Sequence, residues 1–158
     1  MRIFTFLVFI LINYACSDTV PEVLSTTYTT EKTITHDSLC TWIDVIEGEN
    51  LVFKYVRDSD KSGDDFEDDF YEELLFEIPE ISEDSFVIQD SLFDNYTLIY
   101  LNRCVGRCRG EYIGIQNGEI RGIRMDSSSW DLTIDVDLVQ GNTLIPINIQ
   151  EQFSKAEF

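Results

Sequence analysis

Histidine occurs once in this chain of 158 residues, at His36, and 11 basic side chains face 30 acidic ones. The formal charge of -19 at pH 7 and a pI near 4.1 exclude roles that rest on nucleic acid, because phosphate recognition needs clustered Lys and Arg. With a single His and no second Cys pair, a four-ligand zinc site lacks its donors. A Ser-His-Asp or Cys-His arrangement would depend on that same His folding back into a site. No apolar run approaches the roughly 20 residues that span a bilayer as a helix. Only three Pro and eight Gly exclude collagenous and Pro-rich classes. No phosphate-cradling Gly loop, dinucleotide fingerprint or internal repeat is present.

What is present begins at the N-terminus. Met1 and Arg2 precede a short apolar run, Ile3 to Ile12, and then Asn13-Tyr14-Ala15-Cys16-Ser17-Asp18. One positive charge, a short apolar stretch and small residues make the layout of a secretory signal. A small residue directly before Cys16 resembles the lipobox of bacterial lipoproteins, with Asn13 standing where that family usually has Leu. The resemblance implies cleavage before Cys16, acylation of its thiol and an outer-membrane anchor; plain secretion is the alternative. Two or three acyl chains would anchor stably, at about 0.8 kcal/mol per buried methylene. Ser17-Asp18 partly resembles the surface-export tag of Bacteroidota lipoproteins. The Asp-[Ser/Thr]-apolar pattern that Bacteroidota O-glycosylate occurs at Thr19, Ser38 and Ser91. The organisation expected is a signal peptide over 1–15, a lipidated Cys with a Thr/Ser-rich tether over 16–37, and one β domain over 38–158. A flexible tether of about 20 residues would reach roughly 25 Å. Within it, 29–35 favours β structure and fits a first edge strand.

The body of the chain alternates as strands do. Trp130, Leu132, Ile134, Val136 and Leu138 fall on one face, with Asp131, Thr133, Asp135 and Asp137 on the other; period two means one buried and one wet face. Residues 145–149 repeat the pattern, and Pro146 places that strand at an edge. Residues 111–116 and 119–125 flank Asn117-Gly118, a two-residue hairpin signal. Residues 96–101 are apolar on both faces and read as a central strand. Further candidates are 40–46, 51–56, 74–78 and 86–89. About eight short strands point to an all-β fold, an antiparallel sandwich or barrel. Phe66, Phe70 and Leu74 recur every fourth residue, so 64–77 fits either a short helix or a loop leading into a strand.

Two segments could carry chemistry. In Arg103-Cys-Val-Gly-Arg-Cys-Arg-Gly110, Cys104 and Cys108 are close enough to pair across a tight turn; the alternative is Cys40 bridging to one of them. Arg103, Arg107 and Arg109 suit either pairing to nearby carboxylates or contact with an anion. The run Asp58-Ser-Asp-Lys-Ser-Gly-Asp-Asp-Phe-Glu-Asp-Asp69 opens like a calcium loop. Asp58, Asp60, Ser62 and Asp64 supply oxygens and Gly63 the sharp turn, but Asp69 stands where a bidentate Glu belongs. A calcium-binding β-loop and a solvated acidic loop both fit. No catalytic residue is identified.

Parts of the chain are similar to small exported lipoproteins of Bacteroidota: the signal with its lipobox, the acidic loop, the Cys-containing turn, and Gly118, Gly122 and Trp130 before a long alternating strand. That likeness implies no particular activity. The function expected is a lipid-anchored envelope or cell-surface module that binds or shields without catalysis. A glycan, a cation or a cationic protein is a fitting partner, and the charge favours a monomer. The alternatives are a carboxylate-based hydrolase of envelope polymers and an acidic inhibitor of a basic enzyme.

Overall fold

The alternation from Trp130 to Leu138 becomes the backbone of the structure. All five apolar residues there are buried, while Thr133 and Asp135 are exposed. The computed structural model describes residues 23–36, 42–58, 70–80, 83–104, 111–140 and 142–156. In chain order these form β1 (Val23–His36), β2 (Ile43–Glu47), β3 (Asn50–Asp58), β4 (Phe70–Pro79), β5 (Ser85–Gln89), a short 3-10 helix (Asp90–Asn95), β6 (Leu98–Cys104), β7 (Glu111–Arg124), β8 (Ser129–Gln140) and β9 (Thr143–Lys155). The fold is all-β, as the alternation predicts.

The strands lie in the order β2-β1-β3-β4-β6-β7-β8-β9, with β5 paired to β7. The neighbours along this path are antiparallel. The sheet curls until β9 meets β1 in a short parallel contact, Thr27 opposite Ser154 and Tyr28 opposite Lys155. The Ala156 N–H donates to the Tyr28 carbonyl at 2.8 Å and ties the same end. The result is a barrel-like sheet with β2 and β5 as additions.

Its interior is aromatic. Phe53 stacks on Phe76 at 4.9 Å and meets Trp130 and Phe153 edge-on at 5.9 Å each. Leu51, Leu74, Ile120, Leu132, Ile134 and Leu138 close around these rings. Trp130 is therefore core, as its place in the alternation predicts. A smaller cluster, Ile34, Val52, Leu75, Ile99 and Leu101, lies on the other face of β3, β4 and β6. β6 is thus apolar on both faces because both are covered.

Three expectations change. Asn117-Gly118 is not a hairpin turn: it sits inside β7, whose two halves both pair with β8, from Gly114 opposite Val139 to Arg124 opposite Trp130. The register shifts between Ile115 and Asn117, so Gln116 is an extra residue in a bulge. The reason is parity. Ile115 and Ile120 both face the inner core, yet they are five positions apart, and a regular strand would put them on opposite faces. One inserted residue brings both inward, and Gly118 at φ +123° provides the backbone shape. A hairpin here would also have left the long apolar face of β8 without a neighbour. Next, the helix alternative for 64–77 fails over its described part: β4 pairs on both sides, with β3 and β6, so a strand follows the acidic run. Finally, Val23–His36 is one 14-residue strand, so the strand expected at 29–35 begins earlier and takes in part of the expected tether. Beyond Lys32 its strand partner among the described residues is β2 alone, and the Ile34 N–H bonds the Glu77 side chain instead of a strand, so this half runs at an edge as expected.

Pro146 matches its expectation. β9 pairs with β8 along its length, but among the described residues its other side meets β1 only at Ser154 and Lys155. The missing donor at Pro146 therefore faces a side that no described strand pairs.

Candidate functional site

β1 changes sides of the sheet midway. Tyr28 packs into the inner core, whereas Ile34, six residues on, packs into the outer cluster. The cause is a second bulge. Thr29 lies opposite Val52 and Lys32 opposite Asn50, so β1 spends three steps where β3 spends two. Glu31 sits there at φ +56°, the left-handed region that non-glycine residues rarely occupy. Beyond it, β1 and β2 form a ribbon laid over the outer face of β3 and β4. One carboxylate pins it. Glu77 Oε2 on β4 accepts hydrogen bonds from Thr33 Oγ1 and the Ile34 N–H, both at 2.7 Å, and its Oε1 accepts one from Thr97 Oγ1 at 2.8 Å. Burial pushes the Glu77 carboxyl up, but these hydrogen bonds together with one from Asn50 outweigh it and hold its pKa below the ordinary value.

Beneath the ribbon a groove of about 430 Å³ remains open, within the size range of small-molecule sites. Val52 and Leu75 make an aliphatic floor, and Ile43 and Val45 of β2 make a wall. Lys54 Nζ and Glu73 Oε1 sit side by side at 2.8 Å on the floor. Glu73 is only 5% exposed, so its charge depends on partners within the protein, of which Lys54 is one. Lys32, at the rim, pairs with Glu47 at 2.5 Å. Two of the chain's four lysines thus line one groove, and each is matched by a carboxylate. Thr29 also lines the groove at 8% exposure, and its Oγ1 has no hydrogen-bond partner among the described residues.

A second polar group lies inside the barrel where β3 ends and β4 begins. Arg57 and Glu72 form an ion pair there, next to Tyr55 and Tyr100. Burial raises both phenol pKa values, and the Glu72 charge raises that of Tyr100 further. These groups satisfy one another and read as a polar plug for the barrel end.

The residues singled out in the sequence are placed as follows. Asp58 ends β3 opposite Tyr71, while Asp60, Ser62, Asp64 and Asp69 lie outside the described residues. The backbone at Cys104 ends β6 opposite Phe70. Cys16, Cys40, Cys108, Thr19 and Ser38 are outside the described residues. Ser91 falls in the 3-10 turn. His36 ends β1 opposite Ile43. Among the described residues no group of three or more His, Cys, Asp or Glu is arranged to hold a metal ion, and no helix is long and apolar enough to cross a membrane. The groove residues Thr29, Lys54 and Glu73 were not anticipated. The available signal was charge out of place: Lys54 inside Leu51-Val-Phe-Lys-Tyr-Val56 and Glu73 beside Leu74-Leu-Phe76.

No protein-family model, curated protein or solved structure matches the chain.

Proposed function

We propose that this protein is a non-catalytic binding module, anchored to an outer membrane through acylated Cys16, that offers the groove under the β1–β2 ribbon to a ligand of the envelope or the cell exterior. The observation that carries the binding role is the groove itself, an aliphatic trough with an ion pair whose carboxylate is buried and a buried hydroxyl left unbonded by the described residues. Lone polar groups of this kind cost stability when empty and gain when a ligand bonds them. The anchoring role rests on the short apolar run and on Ala15-Cys16. β1 starts at Val23, so about seven residues join the anchor to the domain, a span of at most about 25 Å whatever their conformation. The domain would stand close to the membrane.

Intact-mass analysis of protein isolated from its native membrane tests the anchor. The expected species begins at Cys16 and carries two or three acyl chains. A species that starts elsewhere, or has no fatty chains, overturns the anchor without touching the groove.

A further inference from the structure

We propose that the groove takes a saccharide of one or two pyranose rings. This deepens the binding reading and rests on it.

Charge in the groove is largely paired within the protein. Lys54 and Glu73 neutralise each other at 2.8 Å, Lys32 is matched by Glu47, and the one further charge in the lining, Asp44 of β2, is exposed at the rim. An anion would approach through the field of a chain of charge -19 and would meet the buried Glu73. A cation would have to displace Lys54 from Glu73 with Lys32 close by. A purely apolar ligand would fill the trough but leave the Thr29 hydroxyl unbonded, which keeps its desolvation penalty.

A sugar fits each of these features. A hydroxyl donates and accepts at once, so one inserted at the Lys54–Glu73 pair accepts from the ammonium and donates to the carboxylate. A ring hydroxyl next to Thr29 gives its Oγ1 the partner it lacks among the described residues, once rotation about χ1 turns that buried atom to the groove. Thr29 is on the correct side for this: its neighbour Tyr28 faces the inner core, and alternation turns Thr29 to the groove. The C–H face of the ring covers Val52 and Leu75 on the floor, opposite Ile43 and Val45. The volume of about 430 Å³ admits a mono- or disaccharide.

Full-length, isotope-labelled protein in a sugar-free zwitterionic detergent would be titrated with cellobiose, maltose and chitobiose, and separately with tetra-alanine, while amide resonances are followed. At least one disaccharide should shift amides of 27–29, 43–45, 52–54 and 73–75 in a saturable way. Thr29→Val should weaken that binding about tenfold, the loss typical of one hydrogen bond, and should raise the melting temperature because a buried unbonded hydroxyl is removed. Thr29→Ser should restore the affinity, and Thr133→Val, on the exposed face of β8, should leave it unchanged. Shifts with tetra-alanine but with no disaccharide would overturn the saccharide and keep the binding role. An absence of shifts with every probe would overturn both. Disaccharide binding that Thr29→Val leaves intact would overturn the assignment to this groove.

Discussion

At the residue scale, Glu77 joins the ribbon to the barrel. Its carboxylate accepts from Thr33, Ile34 and Thr97, and these bonds favour the charged form. Because the folded-state pKa is below the ordinary 4.5, the contribution is fully present above that pH and is lost as pH falls through the folded value. Wild type should therefore melt higher than Glu77→Gln at neutral pH, and the gap should close as pH falls from about 4.5. Melting curves of both proteins across that range check it; a constant gap would contradict it. Trp130 was legible as core from alternation alone, since its neighbours at every second position are apolar. Glu77, Glu73 and Lys54 were not, because their partners come from strands far away in the chain.

At the element scale, β7 shows how one pattern can serve two structures. Asn-Gly favours a tight turn, and it equally provides the positive φ of a bulge. The choice was made by β8, whose five inward apolar residues need a neighbour along their whole length. A Cβ at Gly118 would lie 2.2 Å from the Asp135 carbonyl oxygen and 2.6 Å from Val136 Cα, with φ at +123°. Gly118→Ala should cost about 2 kcal/mol or more from backbone strain and clash, read as a lowered midpoint in urea. If 117–118 were instead an exposed hairpin turn, the cost would fall to about 1 kcal/mol or less. In β1, the bulge at Glu31 turns one strand into two uses: its first half closes the barrel, and its second half covers the outer face.

At the scale of the whole molecule, stability gathers where distant strands meet. Phe53 contacts the rings of Tyr28, Phe76, Phe86, Trp130 and Phe153, which lie on β1, β4, β5, β8 and β9. Phe53→Ala should lose about 3–5 kcal/mol, measured by denaturant unfolding. Charge acts over the same scale and against the fold. A chain of charge -19 repels itself when compact, and salt screens that repulsion. Raising sodium chloride from about 0.05 M to about 0.5 M should raise the melting temperature by a few degrees, as the screening length falls below about 10 Å. A melting temperature that falls with salt would mean that the ion pairs outweigh the repulsion.

The sequence by itself determined the all-β class, the inward face of β8 and the buried place of β6. These follow from side-chain period, a property each strand carries locally whatever it pairs with. Only the tertiary structure decided that Asn117-Gly118 is a bulge, that the strand expected at 29–35 begins already at Val23, and that a groove exists at all. Those outcomes depend on which strands become neighbours. Thr33 meets Glu77 and Phe53 meets Phe153 across long stretches of chain, and no local pattern records such meetings. The outer face of β3 and β4 is covered because a bulge sends β1 over it, and the uncovered remainder is the groove.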